Sequence, residues 1–372
     1  MSDTEEVVLF LCGDVMTGRG IDQILPSPSA PEIHERYVTS ALRYVDLAEA
    51  ANGPVPRPVD FAYPWGEALD ELSAAQPGAR IINLETSVTR SADFEPKGIN
   101  YRMHPGNVPC LSAAQIDCCV LANNHVLDWG STGLAETLQT LADADIAVTG
   151  AGIGAAAAGR PAIIDLPGGA RVVVFGMCVG SSGIPWHWAA REDRPGVNLV
   201  DELSASTAGA FTEQVASLRQ PNDVVVASIH WGGNWGYDIP GDQIEFAHVL
   251  IDSGTVDIVH GHSSHHAKAI EIYRGKPVLY GCGDFIDDYE GITGHEQYRG
   301  DLKIMYLAKI AQTTGRLVQL RLVPFQMRNL QLKRPSQADM SWLRTMLDTQ
   351  CRQFACSIEP LDQQSFKVQE CR

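Results

Sequence analysis

Positive charge is scarce in this sequence. Its 372 residues include 28 Lys and Arg against 45 Asp and Glu, a formal net charge of −17. A nucleic acid or an anionic membrane requires basic surface, so both are excluded as partners. An anionic small-molecule or polymer substrate stays compatible where a metal ion or a few arginines reverse the field locally. No apolar run is long enough to span a bilayer. The apolar start over residues 7–12 is too short for a signal-peptide core, and Asp3, Glu5 and Glu6 precede it where positive charge is needed. The expectation is a cytoplasmic chain without a membrane anchor.

Cysteine is present without its usual motifs. The nine cysteines are an odd number and none forms a Cys-x-x-Cys pair, which speaks against thiolate metal sites and redox motifs. Cys118 and Cys119 fall in an apolar run and read as inert core thiols, whereas Cys351, Cys356 and Cys371 read as reduced surface thiols. Repeats of fixed period and low-complexity tracts are also lacking. What remains, 45% hydrophobic and 20% charged residues, is ordinary for a soluble globular enzyme.

Histidine, by contrast, is concentrated. Four of eleven lie within seven residues, His260-Gly261-His262-Ser263-Ser264-His265-His266. The apolar, β-branched run 255–259 before them reads as a buried strand. The histidines then emerge at its C-terminal end, where α/β sheets place ligands, with Gly261 making the turn. Neutral imidazole is the commonest protein metal ligand, and two of them three residues apart on one loop can reach one centre.

Other strands end in the same kind of residue. Residues 7–12, 80–85, 117–122 and 223–229 read as strands, and they run into Asp14, Glu85, Asn124-His125 and His230. Five strand ends carrying only carboxylate, carboxamide and imidazole point to a divalent metal site. Hard oxygen with nitrogen suits Mn, Fe, Zn or Co, and the lack of cysteine disfavours structural zinc. Helices are expected over 32–51, 68–75, 203–218, 242–252 and 339–354, with another capped by Ser131 or Thr132. Hairpins are expected at Pro167-Gly168-Gly169, Arg274-Gly275-Lys276 and Thr314-Gly315. This mixture suggests a large sheet core with helices outside it. Residues 1–326 read as one domain, and 327–372 as a C-terminal tail holding a helix.

The order of motifs GDVMTGR, INLET, LANNHVLDWG, SIHWG, HGHSSHH and VLYGCGDF resembles the CapA-type capsule or poly-γ-glutamate synthesis family, from about Val7 to Phe285. That family is similar to calcineurin-like metallophosphoesterases, which implies a four-layer α/β/β/α sandwich with one or two divalent ions, Mn, Fe or Zn. The resemblance implies Asp14 and His265 on the first metal, and Asn124, His230 and His262 on the second. Glu85 stands where the superfamily has a bridging aspartate, and His125 faces the substrate. Asp-x-His of the phosphoesterases is Asp14-Val15-Met16 here, so the first metal loses an imidazole for a poor ligand. Asp128 either orients His125 or caps a local turn.

Arg19, Arg102 and Trp231 are the substrate-binding candidates. Arg19 either clamps a phosphate or carboxylate with its planar fork or lies at the surface where a helix starts; for Arg102 and Lys97, solvated charge is the alternative. The expected activity is metal-dependent hydrolysis of a phosphoester or a γ-glutamyl-type amide by metal-bound hydroxide, with His125 as the acid. A non-catalytic accessory protein of polymer synthesis is the competing expectation. Family members often carry an N-terminal anchor that is not seen here.

Overall fold

A computed structural model describes residues 5–371, so Asp3 lies outside it. In chain order the main elements begin with β1 (Glu6–Val15), α1 (Arg19–Ile24), α2 (Leu42–Asn52), α3 (Ala68–Ala75), β2 (Ala79–Leu84) and β3 (Cys118–Val120). There follow α4 (Gly130–Asp143), β4 (Ala147–Thr149), β5 (Ala162–Asp165), β6 (Arg171–Val179), α5 (Ala205–Leu218), β7 (Val224–His230), α6 (Gly241–Asp252) and β8 (Ile258–His262). The last third holds β9 (Ile270–Tyr273), β10 (Lys276–Leu279), β11 (Asp284–Ile286), β12 (Leu302–Ala311), β13 (Arg316–Met327), α7 (Gln337–Cys351), β14 (Cys356–Pro360) and β15 (Phe366–Glu370).

These strands form two main sheets in a mixed α/β fold. The first runs β14-β15-β13-β12-β1-β2-β3-β4. Its organising strand is β1, where Leu9, Phe10, Leu11 and Cys12 are fully buried on both faces. Near-continuous apolar sequence is what a two-sided central strand requires. From Leu9 onward β1 pairs parallel with β2; along its other edge it pairs antiparallel with β12 up to Leu11 and then parallel with β11 from Asp14. At the changeover a Cβ on Gly13 would meet Gly283 O at 1.6 Å, so only glycine admits β11 there.

The second sheet runs β6-β7-β8-β10-β9, with β5 on the far side of β6. The strands β6, β7, β8 and β10 are parallel. Their side chains alternate between two cores. Val172, Val174, Val224 and Val226 join the core that includes β1, whereas Val173, Phe175, Val225 and Ala227 join one closed by Phe211, Val215, Phe246 and Leu250 of α5 and α6. Burying each Val or Phe is worth roughly 1.5–3 kcal/mol over leaving it exposed.

Several sequence expectations shift. The helix expected over 32–51 begins only at Leu42; before it, Glu32 bridges Ser40 and the Ile33 amide donates to Thr39 O. Tertiary pairing overrides helical composition there. Helix α4 starts at Gly130 without a side-chain cap, so neither Ser131 nor Thr132 caps it. Gly261 does not turn the chain: it lies within β8, where a Cβ would sit 2.6 Å from Leu279 O. The turn falls on Ser263, at φ 100°. Cys351 and Cys356 are buried, and only Cys371 is exposed. The segment after Gln326 supplies α7 and the β14–β15 hairpin, which pairs with β13 in the first sheet. No helix of the described residues is long and apolar enough to cross a membrane.

Candidate metal centre

The parallel strands bring their C-terminal ends to one place. Register sets Asp14 of β1 beside Asn83 of β2 and Asp284 of β11, and His230 of β7 beside His262 of β8. Two groups of potential ligands result, and both contain Asp14. Asp14, His230 and His262 offer donor atoms within 4.8 Å of one another, and so do Asp14, His265 and Asp284. We call them the inner and outer groups.

Asp14 is held from both sides. Asn83 Nδ2 donates to Oδ1 at 2.7 Å and the Ser263 amide to Oδ2 at 3.3 Å. The positive φ of Ser263, rare for a residue with a side chain, aims that amide inward, and such strain is characteristic of functional sites. In the inner group His262 Nδ1 lies 3.8 Å from Asp14 Oδ1 and 2.8 Å from His230 Nδ1. His230 Nε2 lies 3.0 Å from Asn124 Oδ1 and 4.0 Å from Glu85 Oε1. In the outer group His265 Nδ1 bonds Asp284 Oδ1 at 2.9 Å, and Asn234 Nδ2 meets its other nitrogen at 3.0 Å.

Charge explains what this arrangement needs. Burial first, then the Asp284 carboxylate, pushes Asp14 up to about 7. Burial and then Asp14 raise Glu85 well above the usual carboxylate range. Glu85 Oε2 and Asp284 Oδ2 are buried without a hydrogen-bond partner. Burial opposes charge on His265, and Asp284 outweighs it, raising its pKa; burial drives His230 and His262 well down, so both stay neutral. Lone-pair oxygens and neutral imidazoles converging without thiols match the donor set of a hard-to-borderline divalent ion, and orphaned carboxylate oxygens are the atoms it would satisfy. The residues present fit such an ion. Lys303 is the internal cation on this side: it is fully buried, paired with Asp287, and its Nζ lies 4.0 Å from Asp284 Oδ2.

Beside the two groups stands His125. Its Nδ1 bonds Asp128 Oδ2 at 2.6 Å, and its Nε2 lies 3.8 Å from Glu85 Oε1. Asp128 therefore contacts the imidazole directly, while also accepting from the Tyr101 amide at 2.6 Å. Asn123 Oδ1 accepts from the His125 and Val126 amides at 3.1 Å each, which fixes the loop. Lys97, read from sequence as solvated, pairs with Asp128 Oδ1 at 2.8 Å and bonds the Asn124 carbonyl. Burial, then Lys97, lowers the His125 pKa well below its ordinary value.

The three substrate candidates are each bonded to neighbouring protein groups. The Arg19 guanidinium is 3% exposed, forked onto Asp288 at 3.1 and 2.5 Å and onto Glu35 at 2.8 Å, between the Tyr44 and Tyr101 rings. Two carboxylates take three of its five N–H donors, so it is not a surface group, and it lines the cleft beside His265. Arg102 lies over Trp129 and donates to the Ser91 and Ala30 carbonyls. Trp231 packs in the second core and donates to Tyr280 O at 2.9 Å, pointing away from the ligands. A cleft of about 610 Å³ opens against His265, walled in part by Arg19, Tyr101, Tyr289 and Trp235. Met16 contributes its Sδ as acceptor for the Tyr289 hydroxyl at 3.4 Å.

Sequence reasoning missed Asn83, Asn123 and Lys303, and reached Asp284 only as part of the VLYGCGDF motif. Only the adjacent carboxamide in Asn123-Asn124 offered a local signal.

Comparison with known proteins gives the chain its family. Residues 8–289 match the family described as bacterial capsule synthesis protein PGA_cap. A "Probable polyglutamine synthesis accessory protein" of Mycobacterium tuberculosis is 48% identical over 354 residues, covering 95% of this chain and 93% of that protein. The PGA biosynthesis protein CapA of Bacillus subtilis is 26% identical, over 66% of this chain and 60% of its own. The capsule biosynthesis protein CapA of Bacillus anthracis is 23% identical, over 77% and 61% respectively. With a family match over most of its length and a relative aligned nearly end to end, the chain belongs to the bacterial capsule synthesis protein family.

Proposed function

We propose that this protein is a metal-dependent hydrolase that cleaves a phosphoester or a γ-glutamyl-type amide bond during synthesis of a capsule-type or poly-glutamate polymer. The supporting observation is the pair of ligand groups sharing Asp14, with the His125–Asp128 pair beside them and outside both. The two-sheet arrangement with α5 and α6 on one face is read as the α/β/β/α sandwich of metallophosphoesterases. Asp14, His230 and His262, with Asn124 and Glu85 adjacent, would hold one Mn, Fe or Zn ion; Asp14, His265 and Asp284 would hold a second. A bound divalent ion supplies Lewis acidity and an activated water.

The chain's own groups do the rest. Asp128 holds the His125 imidazole with its proton on Nδ1, which leaves Nε2 facing the site. Burial and the Lys97 charge keep the ring neutral at rest. Nε2 therefore takes the proton that the attacking water gives up and passes it to the leaving atom, while Asp128 stabilises the transient imidazolium. Substrate enters by the cleft at His265. Tyr101 and Tyr289, whose hydroxyls lie 2.6 Å apart, form its wall and exclude water beside Met16.

A non-catalytic, metal-stabilised accessory role is the second reading, favoured by the name of the 48% identical relative. Turnover of a generic phosphodiester and of a γ-glutamyl amide, measured side by side with and without chelator, separates the two. Chelator-sensitive turnover of either substrate supports hydrolysis. With metal fully bound and no turnover of either, the accessory reading stands.

A further inference from the structure

Two buried residues next to the inner group have no part in the chemistry above. The register of β7 and β8 places Ser228 directly beside His260, one pair before His230 and His262. All four side chains are at most 1% exposed. They form a continuous line of polar contacts. Cys12 O lies 2.8 Å from His260 Nε2, His260 Nδ1 lies 3.0 Å from Ser228 Oγ, and Ser228 Oγ lies 3.0 Å from His262 Nε2.

Counting protons along that line leaves one arrangement. A backbone carbonyl only accepts, so His260 must carry its proton on Nε2. His260 is sealed from water with no carboxylate among its hydrogen-bond partners, so its ring holds that single proton and Nδ1 is a lone pair. The Ser228 hydroxyl has one proton to give, and that lone pair needs it. Its oxygen then accepts, and the only group placed to donate is His262 Nε2–H. The reverse arrangement would set two lone pairs against each other at 3.0 Å inside the core. His262 is thus left with a bare Nδ1, the nitrogen that looks toward Asp14 Oδ1 and His230.

We propose that Ser228 and His260 are positioning residues that lock His262 in its Nε2-protonated form, so that Nδ1 is the nitrogen presented to the inner ligand group. The anchor carbonyl belongs to Cys12, two residues before Asp14 on the same strand. One strand therefore supplies a ligand and also the origin of the hydrogen-bond line that orients the opposing ligand. The metal consequence rests on the reading of this cluster as a metal centre; the tautomer does not.

The test is a long-range ¹H–¹⁵N correlation spectrum of the metal-free protein labelled at histidine, with the His262 signals assigned from a His262→Gln sample. The proposal expects protonated Nε2 and bare Nδ1 at His262 in the parent, and a mixture of tautomers in Ser228→Ala. It also expects Ser228→Ala to lose 10–100-fold in Mn or Zn affinity, the usual cost of removing an outer partner of a metal-binding histidine. Ser228→Cys, which keeps a weak donor, should lie between the two. A parent His262 protonated on Nδ1, or a single unchanged tautomer in Ser228→Ala, overturns the proposal. Failure of the parent to bind Mn or Zn would instead remove the metal reading, while the spectrum still decides the tautomer.

Discussion

The inner and outer ligand groups share Asp14 and differ in almost everything else. His230 and His262 sit on the last residues of adjacent central strands, as a registered pair. Their rings are sealed from water and tied to neighbours on both sides. His265 lies on the loop beyond β8, with a side chain 12% exposed and one nitrogen on Asn234, itself exposed. Asp284 opens the short strand β11, with the Lys303 cation behind it. Met16 offers only a thioether sulfur on this side, which accepts from the Tyr289 hydroxyl. One half is preorganised by the sheet; the other is partly soft, partly neutralised from within, and borders the cleft. Rigid elements hold ligand geometry more precisely than loops do. The inner group is therefore expected to bind its ion tightly, and the outer group to exchange one.

The most severe way to break the comparison is at the shared residue. Asp14→Asn should empty both groups and abolish turnover, with metal content by elemental analysis falling to the level of chelated protein. His262→Ala and His265→Ala together should do nearly as much. Made singly, His262→Ala should cost more metal than His265→Ala; equal losses would erase the distinction between the halves.

Next in size is His125→Ala, which should keep its metal and lose about 10²–10⁴-fold in kcat. Asn124→Ala should lose metal and activity together. Loss of metal from His125→Ala would make that histidine a ligand.

A smaller effect concerns pH. Asp14 is pushed from 3.8 up to about 7 in the metal-free fold, so the folded state binds more protons than the unfolded chain between those values. Stability of chelated protein should then fall as pH rises from about 4 through 7, the reverse of the usual paired carboxylate. Melting temperatures at pH 5.5 and 8, with and without added Mn, check this; metal should restore most of the loss at pH 8. The smallest change expected is from Met16→His, which should strengthen the outer group by about 10-fold, comparable to restoring one tuned contact. An unchanged titration would show that the Tyr289 contact or Lys303 already fixes that corner.

The parts of this site that could be read from sequence are those carried by local pattern. An apolar run followed by His or Asp marks a strand and its end, which is how Asp14, His230 and His262 were found. Asp284 depends on β11 pairing with β1 across some 270 positions, and no local signal encodes that register. Ser228 and His260 are ordinary strand residues until the β7–β8 alignment sets them side by side. The arginines posed the opposite difficulty. A guanidinium near a site looks available in sequence, but Asp288 and Glu35, which occupy Arg19, lie in segments with no motif. Helical composition over 32–41 likewise gave way to a turn, because propensity is a weak prior against tertiary pairing.

The hairpin of β14 and β15, with the helix before it, has a consequence for the edges of both sheets. Strand β14 ends the first sheet and β9 ends the second. The Ile270 and Ile272 amides of β9 donate to Cys351 and Cys356 Sγ at 3.3 and 3.4 Å. Both sulfurs belong to the segment that follows β13. Without it β9 and β13 would each present an uncovered edge, the kind that recruits other chains. One stretch of chain thus shields an edge of each sheet, and deleting residues 337–371 should turn the protein toward self-association.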